Sequence, residues 1–174
     1  LSNETGPFGL GWSFGFQGNC KAYTYTITND DGTQSRMTLD VLKVITLPDG
    51  SNLSFTLVNG VYQSNNSKNT LTQTSDGGYI LTTADSHTYT FNANGFLTSV
   101  TDIKGNKVSM DVDASGDVTS ITDSSGRVYT ITYNAEGYIS KITDPEGRSV
   151  SYEYVDGLLV RVTNTMNQVS YQYR

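Results

Sequence analysis

Four glycines fix the layout of the second half of this chain. Gly95, Gly116, Gly137 and Gly157 each open the same short phrase: Gly95-Phe-Leu-Thr-Ser-Val-Thr-Asp102, Gly116-Asp-Val-Thr-Ser-Ile-Thr-Asp123, Gly137-Tyr-Ile-Ser-Lys-Ile-Thr-Asp144 and Gly157-Leu-Leu-Val-Arg-Val-Thr-Asn164. Their spacings are 21, 21 and 20 residues. Ten residues further on stand Gly105, Gly126, Gly147 and, in the fourth unit, Asn167, the other residue that tolerates positive φ. A fixed period of this length marks a stacked array in which each unit buries its apolar surface against its neighbours.

Each period holds two short strands and two turns. In the unit around Gly137, Val128-Tyr-Thr-Ile-Thr-Tyr133 alternates between two faces, and Asn134-Ala-Glu-Gly137 turns the chain. Tyr138-Ile-Ser-Lys-Ile-Thr143 returns, and Asp144-Pro-Glu-Gly147 turns it again. Asp bonds the backbone two residues on, Pro presets φ, and Gly supplies the left-handed fourth position. Turns 10 or 11 residues apart suit strands of about six residues. The return strand breaks simple alternation: Leu97 and Val100, Val118 and Ile121, and Ile139 and Ile142 are three apart. Either a bulge or burial on both faces accounts for that spacing. No stretch sustains helical periodicity.

The predicted fold is therefore all-β, an antiparallel meander of short hairpins in one domain, residues 1–174. Residues 1–90 read as irregular opening or capping strands and 91–174 as about four repeats. In the first part, Tyr23–Ile27, Met37–Leu47, Leu53–Leu57, Tyr79–Thr83 and Thr88–Phe91 read as strands, and Gln63–Asn69 as an exposed loop. This half is expected to be a degenerate version of the same sheet.

Composition agrees. Charged residues make up only 16% of the 174, and twelve Tyr stand against three Pro. Net charge is −6 with no Lys/Arg cluster, which argues against nucleic acid and anionic membrane as partners. No apolar stretch is long enough for a membrane helix. The chain begins at Leu1 without a Met or signal peptide and ends at Arg174 partway through a repeat. It is thus expected to be part of something longer.

The repeats resemble YD repeats, the units of Rhs, teneurin and insecticidal-toxin shells. The Tyr-Asp-x-x-Gly element stands here as Phe91-Asn-Ala-Asn-Gly95, Val112-Asp-Ala-Ser-Gly116, Tyr133-Asn-Ala-Glu-Gly137 and the shorter Tyr154-Val-Asp-Gly157. The Thr-Asp-x-x-Gly element stands as Thr101–Gly105, Thr122–Gly126 and Thr143–Gly147. Gly6-Pro-Phe-Gly-Leu-Gly-Trp-Ser13 is similar to the segment that opens the bacterial Rhs region. The resemblance implies a β-sheet strip spiralling into a hollow shell around a toxic C-terminal domain, or a surface adhesion module. The implied source is a secreted or surface-displayed bacterial polymorphic toxin. The partners it implies are further repeats of the same polypeptide and an enclosed C-terminal domain. The glycines Gly95, Gly105, Gly116, Gly126, Gly137, Gly147 and Gly157 carry the structural role, with Trp12, Tyr133 and Tyr154 as packing anchors. An adhesion or carbohydrate-binding module, reaching surface glycans through exposed Tyr and Trp, is the alternative.

Assembled chemistry is not legible. Asp111-Val-Asp-Ala-Ser-Gly-Asp117 resembles a calcium loop, but its twelfth position is Thr122 rather than Glu, so it reads first as a repeat turn. His87 is the only histidine and Cys20 the only cysteine, read as a half-buried thiol beside an aromatic strand. No cofactor or metal site and no enzymatic activity are expected. Phe8, Trp12, Phe14 and Phe16 are expected to cap the sheet, packing against Tyr23 and Tyr25. Asn3, Asn52 and Asn65 match the glycan acceptor pattern. The last strand, Val169-Ser-Tyr-Gln-Tyr173, is expected to present an open edge at which the isolated fragment can self-associate.

Overall fold

The computed structural model describes residues 5–10, 14–164, 166 and 169–172, without the side chains of Thr5 and Val169. Trp12, Asn167, Tyr173 and the Asn3 acceptor pattern therefore lie outside the described residues. Every regular element among the described residues is a β-strand. The chain falls into two compact units, Leu1–Phe16 with Val108–Arg174, and Gln17–Lys107.

The first unit opens with β1 (Thr5–Gly6) and β2 (Gly9–Leu10), which pair antiparallel. The second holds two sheets. In one, β3 (Asn19–Thr28), β4 (Gln34–Thr46), β5 (Asn52–Val58) and β6 (Val61–Gln63) pair in succession. The other is the meander β7 (Thr70–Gln73), β8 (Tyr79–Thr82), β9 (Thr88–Phe91) and β10 (Leu97–Thr101). β3–β6 thus make a separate sheet instead of a degenerate run of the repeat sheet, whereas β7–β9 run on into β10 as one meander. An isolated bridge between Asn19 and Phe96 holds the two together, flanked by Cys20 N–H to the Gly95 carbonyl (2.8 Å) and Leu97 N–H to the Gly18 carbonyl (3.0 Å). Ile45, Phe55, Leu81, Phe91 and Leu97 form the core of this unit.

The first unit resumes with β11 (Lys107–Val112, whose first residue belongs to the other unit), β12 (Val118–Thr122) and β13 (Val128–Tyr133). It continues through β14 (Ile139–Thr143), β15 (Ser149–Val155), β16 (Leu158–Asn164) and β17 (Val169–Gln172), each antiparallel to the next. Residues opposed across an antiparallel ladder share a face. Met110, Ile121 and Tyr129 stand in one cross-strand row, Ile131, Ile142 and Val150 in another, and Tyr152, Val162 and Tyr171 in a third. The opposite face carries Asp111, Ser120 and Thr130, then Thr132, Lys141, Ser151, Thr163 and Ser170. One face is apolar and the other is hydroxylated, with the Arg161–Glu153 ion pair (3.0 Å) on the polar side.

The three-residue spacing of the return strands is resolved as a bulge. Asp111 opposes Ser120 but Val112 opposes Val118, leaving Thr119 as the extra residue. Ser140 and Val160 are extra in the next two hairpins, and Thr98 in the hairpin of β9 and β10. One inserted residue returns Val118 and Ile121 to the same side, so Leu97, Val118, Ile139 and Leu159 are all buried. The Thr98, Thr119 and Ser140 hydroxyls each donate to the carbonyl of the facing strand, at Thr90 (3.2 Å), Asp111 (3.3 Å) and Thr132 (3.1 Å).

The repeat glycines all adopt positive φ, between 75° at Gly157 and 92° at Gly116. Their surroundings differ. A Cβ on Gly137 would meet nothing within 4 Å, whereas one on Gly95 would lie 2.2 Å from the Cys20 carbonyl oxygen. Gly137→Ala should therefore cost only the left-handed backbone strain, about 1–2 kcal/mol. Gly95→Ala should cost clearly more, because the Asn19–Phe96 bridge must separate. Urea unfolding of the two variants checks the order, and equal losses would show that the bridge does not constrain Gly95.

Candidate functional site

One local unit recurs along the sheet. At each of six turns an Asx side chain accepts two backbone N–H groups, two and four residues ahead. Asn92 Oδ1 takes those of Asn94 and Phe96, Asp102 those of Lys104 and Asn106, and Asp113 those of Ser115 and Asp117. Asp123 takes Ser125 and Arg127, Asn134 takes Glu136 and Tyr138, and Asp144 takes Glu146 and Arg148. The backbone closes the same loops: Gly137 N–H donates to Asn134 O (3.1 Å), and Asn134 N–H to Tyr138 O (2.8 Å). In the Thr-Asp turns the second carboxylate oxygen also binds a side chain, from Asn106 (2.7 Å), Arg127 (2.7 Å) or Arg148. The Asn106 side chain and amide hold the Asp102 carboxyl below the usual carboxylate range. At Asp123 burial opposes ionisation, yet the Arg127 amide and guanidinium outweigh it and hold that carboxyl low as well.

Two earlier turns are variants. Thr74 and Thr83 start them, each donating its hydroxyl to the Asp two residues ahead (2.5 Å), and Ser86 takes the left-handed place at φ 66°. Tyr154-Val-Asp-Gly157 is one residue shorter because it is a two-residue turn, with φ 51° at Asp156 and 75° at Gly157, directly between the Val155–Leu158 pair.

The repeat tyrosines act by hydrogen bond as well as by packing. Tyr133 Oη donates to the Val118 carbonyl (2.9 Å) and Tyr154 Oη to the Ile139 carbonyl (2.8 Å). Both bonds reach 15 residues back, to the second residue after the preceding repeat glycine. Each tyrosine therefore ties its own hairpin to the bulge of the one before. Burial foremost, then the Asp117 and Asp113 carboxylates, raises the Tyr133 phenol well above its ordinary value. Burial, then the Tyr152 and Tyr138 phenols, raises Tyr154 to about 12. Phe91 and Val112, which stand at the tyrosine position in the earlier repeats, have no hydroxyl to donate.

The opening segment binds the repeats of its own unit. Ile139 N–H donates to Pro7 O (2.7 Å), Leu10 N–H donates to Gly157 O (3.1 Å), and a Cβ on Gly9 would lie 2.4 Å from that same Gly157 oxygen. Phe8 packs on Tyr152 (5.0 Å between ring centroids) and on Phe14 (5.7 Å). Tyr23 and Tyr25, in the other unit, stack on each other at 6.3 Å. Phe14, Phe16, Val108, Ile121, Tyr129 and Ile142 line an apolar groove of about 310 Å³. Tyr129 and Ile142 also line an adjoining groove of about 380 Å³ that reaches Val150, Asn164 and Met166.

The sequence candidates for chemistry resolve into structure. Asp113 spends Oδ1 on its own turn, and Asp111 accepts the Ser120 hydroxyl (2.6 Å), so the resemblance to a calcium loop is that of a repeat turn. His87 Nδ1 lies 3.0 Å from the Asp85 carboxylate at the edge of a turn. Cys20 is fully buried, not half-buried, and burial, partly offset by the Lys43 ammonium, pushes its thiol up to about 11.

Tyr133→Phe and Tyr154→Phe should each cost about 1–3 kcal/mol, since each strands a part-buried carbonyl. The raised phenol adds stability below the unfolded value near pH 10, lost as pH climbs toward 12 at Tyr154. Ultraviolet titration should show Tyr154→Phe removing a late-ionising phenol. Cys20 should react with a thiol reagent at pH 8 only as fast as the fold opens, and prompt stoichiometric labelling would contradict its burial.

Residues 112–149 match the family model described as RHS Repeat, and no curated protein matches the chain. The matched stretch runs from the bulged Val112–Val118 pair through the Asx turns at Asp113, Asp123, Asn134 and Asp144, and it includes the Tyr133 bond. Over residues 112–149 this chain is similar to an RHS repeat, the structural repeat of the Rhs/YD-repeat family.

Proposed function

We propose that this chain is a structural segment of an Rhs/YD-repeat shell that encloses or presents a toxin or effector domain, without catalysis of its own. The observation that carries the reading is the coupling of successive repeats. Each tyrosine hydroxyl fastens a hairpin to its predecessor, so a wall can be lengthened by adding units without altering the joint. The opening segment supports a starting role, since Pro7 and Leu10 occupy backbone groups of the repeats at Ile139 and Gly157. The two-faced sheet suits a partition, with apolar rows on one side and hydroxyls on the other. A buried, protonated Cys20 and turn-bound carboxylates offer no nucleophile–base pair. Further repeats of the same polypeptide and an enclosed C-terminal domain are its partners, and its place is outside a bacterial cell or on the cell surface.

The test is the full reading frame expressed as one polypeptide. More repeats should follow Arg174, and then a domain that resists added protease until the repeats are unfolded. Digestion of that domain at the rate of its isolated form would overturn the proposal. The Tyr129 ring shared by both grooves favours a second reading, an adhesion or carbohydrate-binding module. Glycan-array binding that is lost in Tyr129→Ala with the fold intact would support it over the shell.

A further inference from the structure

The β3–β4 hairpin extends beyond the sheet to which it belongs. β5 pairs with β4 only from Leu42 to Thr46, while β3 follows β4 out to the Thr28–Gln34 pair. The six outer pairs, Tyr23–Leu39 to Thr28–Gln34, thus form a two-stranded arm. A bulge between Ala22 and Tyr23, opposite Asp40, Val41 and Leu42, marks where the arm leaves the body.

The arm is amphipathic. Tyr23, Tyr25 and Ile27 share a face with Met37 and Leu39, while Thr24, Thr26, Arg36 and Thr38 share the other. Tyr23, Ile27, Met37 and Leu39 are 39–46% exposed. A two-stranded ribbon is marginal in water, and an open edge beside an exposed apolar row invites another strand. Among the described residues, neither Arg36 nor Asp40 has an ion-pair partner.

The edge of β4 is complementary to itself. Laid antiparallel on a second copy about a two-fold axis through Thr38, it opposes Met37 to Leu39 and Arg36 to Asp40. The first pair falls on the apolar face and the second on the polar face, and the symmetry supplies each pair twice. A register centred on Met37 or on Leu39 leaves Arg36 without an acid opposite. We infer that β4 is a dimerisation edge, at which residues 36–40 of two copies of this chain pair antiparallel with reciprocal Arg36–Asp40 contacts. This surface differs from the β17 edge and does not depend on enclosure of a cargo.

Sedimentation equilibrium of the 174-residue chain tests it. The wild type should show a monomer–dimer equilibrium. R36D places two acids opposite each other and should weaken it roughly tenfold or more, and R36D/D40R should restore most of the loss. Thr38→Cys should form a disulfide-linked dimer on mild air oxidation, because opposed Cα atoms in an antiparallel ladder lie about 4.5–5.5 Å apart. Peptide mapping should place the link at position 38. Circular dichroism of each variant keeps a folding failure separate from a lost interface. A monomer at every concentration, a dimer unaffected by R36D, or a dimer abolished by Ser170→Pro in β17 but retained in R36D would each overturn the inference.

Discussion

A carboxylate or amide oxygen folded back onto two backbone N–H groups, next to a left-handed glycine, sets the interval of the repeats. Asp102, Asp113, Asp123, Asn134 and Asp144 all satisfy the same donors, two and four residues ahead. Asn at position 134 keeps the geometry because only an acceptor oxygen is needed. Once the turns are fixed, strand length follows, and so does the register in which apolar rows cross the sheet. A one-residue error would carry each row to the hydroxylated face.

The bulge and the tyrosine complete that unit. One extra residue after the buried Leu97, Val118, Ile139 or Leu159 twists the return strand and exposes a backbone carbonyl. At Val118 and Ile139 the tyrosine of the following repeat takes that carbonyl. The bond is part-buried, and the burial of the phenol is the main cause of its raised pKa. Phe91 and Val112, at the tyrosine position of the earlier repeats, carry no hydroxyl for such a bond. The opening segments repeat the theme in each unit, Gly18–Cys20 on Gly95 and Leu97, and Pro7–Leu10 on Ile139 and Gly157.

Much of this was legible in the residues. The all-β class, the turn positions from Asn92 to Asp144 and strands close to β4, β5, β8 and β9 follow from period and turn chemistry. β6 was missed because Val61–Gln63 spans only three residues, and β7 because Thr70–Gln73 holds a single apolar residue, Leu71, and so shows no pattern. The separate β3–β6 sheet was missed because strand order leaves no mark on composition. The RHS family match covers only 112–149, where the tyrosine and both Asx elements coincide.

The sequence by itself determined the interval, because Asx turns and left-handed glycines are local and need nothing distant. Tertiary structure alone decided where each tyrosine hydroxyl goes, that the three-residue spacing means a bulge, that Gly95 is pressed against Cys20 while Gly137 stands open, and that one hairpin projects. Those outcomes depend on which strand lies beside which, and long-range pairing is settled by packing among residues far apart in the chain.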